Sequence, residues 1–156
     1  MSFVARLNPE LIRVAPPWAG FEQTIAGLVA VLDTARLLPA GAEPAAVRAV
    51  AAREAEASTA LLDIHVGVPH ARLPGLARPL VALGVSPAGF YEAVPTVAIQ
   101  IVALVLSPPH SSAHHLRILS GIATLLRSAE LRAALLVARD GREALASLER
   151  HGRAMP

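Results

Sequence analysis

The sequence predicts a layered domain of the α/β or α+β class. Amphipathic helical segments precede, separate and follow short apolar strands, which is typical of helices packed on a sheet. Apart from Gln100, the segment Val97–Leu106 is apolar and rich in β-branched residues, and this predicts a central strand covered on both faces. The chain has 156 residues, 54% of them hydrophobic and 17% charged, so we expect a single domain over residues 1–156.

The first part of the chain predicts two helices followed by extended chain. Over Ala19–Leu37, apolar residues recur at i, i+4, i+7 and i+11, which is one helical face. The residues on that face are Phe21, Ile25, Leu28 and Leu32. Pro44–Ala57 is rich in alanine and has proline in its first turn, which also favours a helix. Residues 58–70 are apolar and β-rich, and we expect short extended pieces that end at Pro69.

Two strands are predicted in the middle of the chain. Leu80–Val85 is followed by a Ser-Pro turn signal, and Val97–Leu106 is stopped by Pro108 and Pro109. We interpret Val97–Leu106 as the central strand of the sheet, because a strand with no polar side needs cover on both faces.

The last third of the chain predicts three helices. Ser111 or Ser112 can cap a helix that runs to about Arg127, and Ser128 can begin the next one with Glu130 in its first turn. The predicted apolar face of the first of these helices consists of Leu116, Leu119, Ile122, Ala123 and Leu126. Gly141 separates off a final helix, Arg142–Arg150, and we expect residues 152–156 to be a loose tail.

Composition argues against several classes of function. All 14 basic residues are arginines, but the net charge is only +2 and no basic stripe is interleaved with aromatic residues, so no nucleic-acid partner is expected. No apolar run reaches the roughly 18 residues of a membrane span, and we expect no direct membrane insertion. With no cysteine and no secretory signal pattern, the sequence favours a cytoplasmic location.

The six histidines admit three kinds of chemistry. Ser-His-Asp catalysis has little support, because there is no G-x-S-x-G stretch. A metal site could use His110 and His114, four residues apart, together with His65 or His70. However, His110 directly follows two prolines, before a helix is expected to begin. The third possibility is phosphohistidine chemistry.

Phosphohistidine chemistry fits the stretch VPHAR, residues 68–72, best. A neutral imidazole is a good nucleophile near pH 7, and Pro69 restricts the backbone just before His70. Phosphoryl transfer also needs donors spread over the phosphoryl oxygens, and the planar fork of an arginine such as Arg72 suits that role.

Four blocks of the sequence, in order, resemble enzyme IIA of the bacterial phosphoenolpyruvate-dependent sugar phosphotransferase system, of the fructose/mannitol type that includes the nitrogen-regulatory IIA proteins. The blocks are REAEAST at 53–59, VPHAR at 68–72, VAIQIVALVLSP at 97–108 and HLRILSGIATLLRSAELRAAL at 115–135. The similarity spans about residues 7–150. It implies a three-layer α/β/α sandwich with a mixed, mainly buried sheet and helices on both faces.

The resemblance also implies roles for individual residues. His70 falls on the phosphoryl acceptor, which in this family uses Nε2. His115 falls on the second histidine of the site, and Arg53 on an arginine that steadies the phosphoryl group; Arg72 is a weaker candidate for that role. The implied donor is HPr or an HPr-like phosphocarrier and the implied acceptor is a IIB subunit; a regulated target protein is the other implied partner. No metal or organic cofactor is needed for transfer between histidines.

One interval departs from the family pattern. Between the Ser-Thr and the acceptor the family has a glycine-rich loop, G-I-G-x-G-x-A, whereas this chain reads ALLDIHVGV and keeps only Gly67. We expect Asp63 in that interval to repel phosphate. The predicted function is therefore a phosphoryl carrier, nitrogen-regulatory IIA-like, and the alternative is a regulatory interaction module of the same fold that takes no phosphoryl group.

Overall fold

The computed structural model describes residues 2–154, and within that range five α-helices pack on a mixed sheet. The strands are β1 (Ile12–Val14), β2 (Ala60–Leu61), β3 (Val66–Gly67), β4 (His70–Arg72), β5 (Leu80–Val85), β6 (Tyr91–Val94), β7 (Val97–Ile99) and β8 (Ile101–Ser107). The helices are α1 (Gly20–Thr34), α2 (Glu43–Glu56), α3 (Ser112–Leu126), α4 (Ala129–Val137) and α5 (Gly141–Ala154). Short 3₁₀ helices cover Phe3–Arg6, Pro9–Leu11 and Leu62–Ile64.

The main sheet has the strand order β1-β5-β8-β3-β2, with β4 also paired to β8. β5 runs parallel to β1 and antiparallel to β8, so the sheet is mixed, as predicted. β3 and β4 lie along successive parts of β8, both parallel to it. They are two pieces of one interrupted strand, because Pro69 lies between them and has no N–H to donate to the ladder.

Helices cover both faces of this sheet, which confirms the predicted sandwich. A Cβ at Gly84 on β5 would meet Leu28 of α1, and Gly84 pairs with Val102 on β8. Ser107 is an odd number of positions further along β8, so its side chain points to the opposite face, where it contacts His115 of α3. α1 and α3 therefore lie on opposite sides of the sheet.

The central position of β8 is confirmed by burial: all seven residues of Ile101–Ser107 are buried. The predicted strand Val97–Leu106 is divided at Gln100, however. β7 pairs with β6 in a separate hairpin, and β8 joins the main sheet. The backbone N–H of Gln100 donates to the carbonyl of His65, so the chain changes partners at the residue that interrupts the apolar run.

The predicted helices are all present, with shifted ends. The buried residues of α1 include Ile25, Leu28 and Leu32, as the periodicity predicts. Ser128 caps α4 by accepting a hydrogen bond from the N–H of Leu131.

The expected end of the last helix at Arg150 and the loose tail from residue 152 are wrong, since α5 continues to Ala154; residues 155 and 156 lie outside the described range. A Cβ at Gly152 would lie 4.0 Å from Val4, so the end of α5 lies beside the N-terminal 3₁₀ helix.

Sequence patterns missed the strands β1 and β6. β1 has only three residues, too few for a period to be visible, and β6 is paired across a short turn with β7. No helix within residues 2–154 combines the length and the apolar character needed to cross a membrane.

Candidate functional site

His70 begins β4 and is half-buried at the surface of the sheet. Its ring nitrogen Nδ1 lies 2.8 Å from the carbonyl oxygen of Val68. A carbonyl only accepts, so Nδ1 carries the proton and donates it. In the neutral ring Nε2 then holds the unshared electron pair. The backbone around Pro69 therefore leaves His70 in the tautomer that makes Nε2 the nucleophilic nitrogen.

Arg72 lies on the same face of β4 as His70, because side chains two positions apart in a strand point the same way. Its Nη1 donates to the carbonyl oxygens of Pro108 and Pro109, at 3.3 and 3.4 Å. These bonds connect β4 to the turn that leads into α3. The guanidinium is thus held beside the first turn of α3.

His115 comes from that first turn and is 4% exposed. Its ring centroid lies 5.3 Å from that of His70, and the two ring planes are inclined at 59°. Nδ1 of His115 is hydrogen-bonded to Oγ of Ser107 at 2.6 Å. Burial, followed by the nearby Arg72 and His70, lowers the pKa of His115 to about 4, so this ring is neutral at pH 7.

The four residues singled out in the sequence line a single depression of about 390 Å³. His70 and Arg72 come from β4, Arg53 from the last turn of α2, and His115 from α3. We call this the His70 depression. Glu56, Leu116 and Leu119 also line it. Three positively charged or hydrogen-bonding side chains thus share one open cavity with the imidazole of His70.

The end of α2 positions Arg53. Glu54 accepts hydrogen bonds from the backbone N–H of Thr59 at 3.0 Å and from its hydroxyl at 2.6 Å, which fixes the turn that follows the helix. Arg53 itself donates from Nη1 to the carbonyl of Ala57 at 3.3 Å, near the C-terminus of α2. The block REAEAST therefore forms the end of α2 and a hydrogen-bonded turn, and its arginine, Arg53, lines the depression.

The apolar face predicted for α3 is partly wrong. The buried residues are His115, Ile118, Ile122, Leu125 and Leu126, whereas Leu116 is 63% exposed. A histidine occupies a position of the buried face, and a leucine next to it is left at the rim of the His70 depression. Hydropathy alone cannot assign such a face, because it counts histidine as polar.

Asp63 does not line the His70 depression, so the expectation that it repels phosphate there is wrong. Its carboxylate forms an ion pair with Arg127 at 2.7 Å, and the guanidinium of Arg127 lowers the pKa of Asp63. The acidic side chain that does line the depression is Glu56.

The interval that replaces the glycine-rich loop forms a compact hairpin. β2 and β3 pair antiparallel on either side of the 3₁₀ turn Leu62–Ile64. His65 closes this turn in the left-handed conformation, with φ 58°, and its Nδ1 donates to the carbonyl of Ala98 at 2.8 Å. Gly67 is retained for space, since a Cβ there would lie 2.5 Å from the hydroxyl oxygen of Tyr91.

The structure does not assemble the histidines of the metal hypothesis. His110 is exposed in the turn before α3, so it does not share a helical face with His114. Nε2 of His114 lies 2.6 Å from Nη2 of Arg6 and accepts a hydrogen bond from that guanidinium. Within residues 2–154 no three His, Cys, Asp or Glu side chains are grouped as metal ligands.

Ser107 is a residue of this region that sequence reasoning missed. It is fully buried at the end of β8, where the strand pattern gives no sign that its hydroxyl faces a histidine. The only signal was its place as the last residue before two prolines and the helix of His115.

The chain has similarity to known proteins along almost its full length. The family model of the EIIA 2 component of the phosphoenolpyruvate-dependent sugar phosphotransferase system matches residues 6–151. The fructose-specific EIIA component of the phosphotransferase system of Haloferax volcanii is 30% identical over 138 residues, covering 86% of this chain and 87% of that protein.

Solved structures share the fold. The nitrogen regulatory protein IIA-Ntr from Neisseria meningitidis superposes with a TM-score of 0.79 and 21% identity, over 94% of this chain and 98% of that one. A complex of the mannitol IIA enzyme with phosphorylated mannitol IIB from Escherichia coli matches with a TM-score of 0.73 and 19% identity, over 92% of this chain and 97% of the matched chain.

Proposed function

Because this chain belongs to the EIIA type 2 family of the phosphoenolpyruvate-dependent sugar phosphotransferase system, we propose that it carries a phosphoryl group on Nε2 of His70. The observation that supports this best is the hydrogen bond from Nδ1 of His70 to the Val68 carbonyl, at 2.8 Å. It holds the proton on Nδ1 and keeps the electron pair on Nε2, the nitrogen that must attack phosphorus.

The transfer step follows from this tautomer. The electron pair of Nε2 forms the new N–P bond, while the N–P bond to the donor's histidine breaks and leaves its electron pair on that nitrogen, which takes up a proton from solvent. His70 keeps its own proton on Nδ1. The phosphoryl group itself needs only an in-line approach and compensation of the negative charge on its oxygens.

Three side chains are suited to compensate that charge. Arg53 and Arg72 bring guanidinium groups to the His70 depression from two sides, and His115 brings a neutral ring with its centroid 5.3 Å from that of His70. Arg is effective here because its planar fork can donate to two phosphoryl oxygens at once. Arg53 is held near the end of α2 and Arg72 against the turn before α3, so little ordering remains to be done on transfer.

We further propose that the phosphoryl group comes from an HPr-like phosphocarrier and passes to a IIB subunit or controls a regulated target protein. The mannitol IIA relative was solved in complex with phosphorylated IIB, which supports a IIB partner. The fold shared with the nitrogen regulatory protein IIA-Ntr from Neisseria meningitidis supports the nitrogen-regulatory type of role. The fructose-specific relative supports the sugar-uptake version instead. The cytoplasmic location expected from the sequence stays a prediction.

The test is incubation of the full chain with phosphoenolpyruvate, enzyme I and an HPr-like carrier, followed by intact mass measurement. We expect one added phosphoryl group that is lost in acid and stable in base. His70→Ala is the negative control, and His110→Ala is the matched control on an exposed histidine outside the depression. If this protein gains no mass from a carrier that does phosphorylate another IIA protein, the result contradicts the proposal. It then favours the alternative, an interaction module that takes no phosphoryl group. If the phosphorylated protein then transfers its phosphoryl group to a fructose-type IIB protein, the result favours a role in sugar uptake over a role in regulation.

A further inference from the structure

We propose that Ser107 is a positioning residue that holds His115 in the tautomer with its proton on Nε2, so that His115 donates to a phosphoryl group on His70 and does not compete for it. This inference rests on the proposed function of His70. The resemblance to the family assigns no function to Ser107, although this residue belongs to the matching block at 97–108, and its side chain does not line the His70 depression.

His115 is neutral in the folded protein. Its ring is 4% exposed, and burial together with the nearby Arg72 and His70 holds its pKa far below the usual value. The ring is therefore neutral at physiological pH, and a neutral imidazole has one donor nitrogen and one acceptor nitrogen. The proton is on Nδ1 if the partner of Nδ1 accepts a hydrogen bond, and on Nε2 if that partner donates one.

That partner is the hydroxyl of Ser107, at 2.6 Å, and the residue is fully buried. Within residues 2–154, the Ser107 hydroxyl makes no other hydrogen bond. If Nδ1 donated to Oγ, the hydroxyl proton would be buried without an acceptor, which is unfavourable. If the hydroxyl donates to Nδ1, both groups are satisfied and the ring proton must be on Nε2.

The backbone of Ser107 fixes where this hydroxyl lies. Ser107 pairs with Arg72 in the β4–β8 register, and its carbonyl accepts a hydrogen bond from the N–H of Leu73 at 2.8 Å. The side chains of His70, Arg72 and Ser107 therefore point to the same face of the sheet. One residue thus links the strand of His70 to the ring of His115.

The two histidines are then in opposite tautomers. His70 has its proton on Nδ1 and its electron pair on Nε2, whereas His115 has its electron pair on Nδ1, occupied by Ser107, and an N–H at Nε2. Only His70 has a free nitrogen that can attack phosphorus. His115 can only donate to the phosphoryl oxygens, so the arrangement selects one acceptor of the pair.

The experiment measures the tautomer directly and the reaction separately. Long-range ¹H–¹⁵N spectra of the ¹⁵N-labelled full chain at pH 7 report which nitrogen of His115 is protonated, with His115→Gln used for assignment. We expect the wild-type protein to show the Nε2–H form. We expect Ser107→Ala to lose that preference and to take up phosphoryl from the carrier about tenfold more slowly, less than the roughly 10²–10³ for loss of a whole donor. Ser107→Thr keeps the hydroxyl and is expected to restore both the tautomer and the rate.

A proton on Nδ1 of His115 in the wild-type protein overturns the inference, whatever the variants do. So does a Ser107→Ala protein with an unchanged tautomer or an unchanged rate of uptake. If the wild-type protein takes up no phosphoryl group, the proposed function fails, and the role of Ser107 in the reaction fails with it. The spectra still show in that case whether Ser107 sets the tautomer of His115.

Discussion

The imidazole rings of His70 and His115 lie with their centroids 5.3 Å apart and their planes inclined at 59°. His70 belongs to a strand and His115 to the first turn of a helix, so only the packing of α3 beside the end of β4 brings them together. One ring is half-buried and the other almost fully buried. The pair therefore combines an accessible nucleophile with a ring that the fold keeps neutral and fixed.

We expect His70→Ala to abolish phosphoryl uptake and His115→Ala and Arg53→Ala to slow it. The first variant has no atom that can form the N–P bond, whereas the others lose one donor to the phosphoryl oxygens, which costs up to about 10²–10³ in rate. Initial rates of uptake from the phosphocarrier, measured on variants shown to be folded by circular dichroism, check this. An inactive His115→Ala protein that remains folded would make His115 an acceptor or relay.

Substitutions of Glu56 and Asp63 test the electrostatics of the site, with Asp63 as the matched control. Glu56 lines the His70 depression and Asp63 does not, since it pairs with Arg127. We expect Glu56→Gln to raise the rate of phosphoryl uptake a few-fold at low salt, because it removes a negative charge beside an incoming phosphoryl group, and Asp63→Asn to leave the rate unchanged. Equal effects of the two substitutions would show that the charge of the whole surface, not of the depression, controls uptake.

Arg72→Gln is expected to raise the pKa of His115 from about 4. The guanidinium of Arg72 disfavours a second positive charge on the ring, but burial is the larger cause and remains in the variant, so the pKa stays below 6.5. An NMR titration of the His115 ring in both proteins measures the change. A pKa that stays the same would mean that burial alone keeps this ring neutral.

The buried His115 makes the free energy of unfolding depend on pH. Between about pH 6.5 and pH 4 the unfolded chain binds a proton at this ring while the folded protein does not, so stability falls as the pH falls through this window. The loss is at most about 3 kcal/mol, at 1.36 kcal/mol for each unit of pKa difference. Urea denaturation between pH 4 and 7 measures it. His115→Gln is the control, and its stability should decrease less over the same range.

Gly67→Ala is expected to destabilise the protein by about 1–3 kcal/mol, the usual cost of forcing extra atoms into a packed site. Its new Cβ would lie 2.5 Å from the hydroxyl oxygen of Tyr91 and 3.3 Å from Ile99. Tyr91→Phe removes that hydroxyl, so the double variant should recover most of the loss. Urea denaturation of the four proteins provides the double-mutant cycle, and additive effects of the two substitutions would show that the Tyr91 hydroxyl is not the obstacle.

Much of the fold could be predicted because it follows from local patterns. The run Val97–Leu106, apolar except for Gln100, indicated a buried central strand, and the spacing of Ile25, Leu28 and Leu32 indicated the buried face of α1. The block VPHAR pointed to His70, since proline, histidine and arginine at that spacing suit phosphoryl chemistry. The two structural inferences needed only the chain's own periodicity, whereas the choice of His70 rested on the chemistry of these residues together with the resemblance to the IIA family.

Other features are decided by contacts between segments that are distant in the sequence. The residue facing His115 is Ser107, the acid in the depression is Glu56, and Asp63 turns away to Arg127. The last helix continues to Ala154, and its end lies beside Val4 of the N-terminal 3₁₀ helix. A periodic pattern indicates which face of a helix or strand is buried, but it does not say which residue of another element covers that face.

By itself, then, the sequence determined the class of the fold, the central strand, most helices and His70 as the candidate phosphoryl acceptor. Only the tertiary structure decided the partners of that histidine: the neutral ring of His115, the buried hydroxyl behind it and the guanidinium groups on either side. The physical reason is that pKa, tautomer and charge compensation depend on burial and on distances of a few ångströms between side chains, and the register of β4 on β8 and the packing of α3 set those distances.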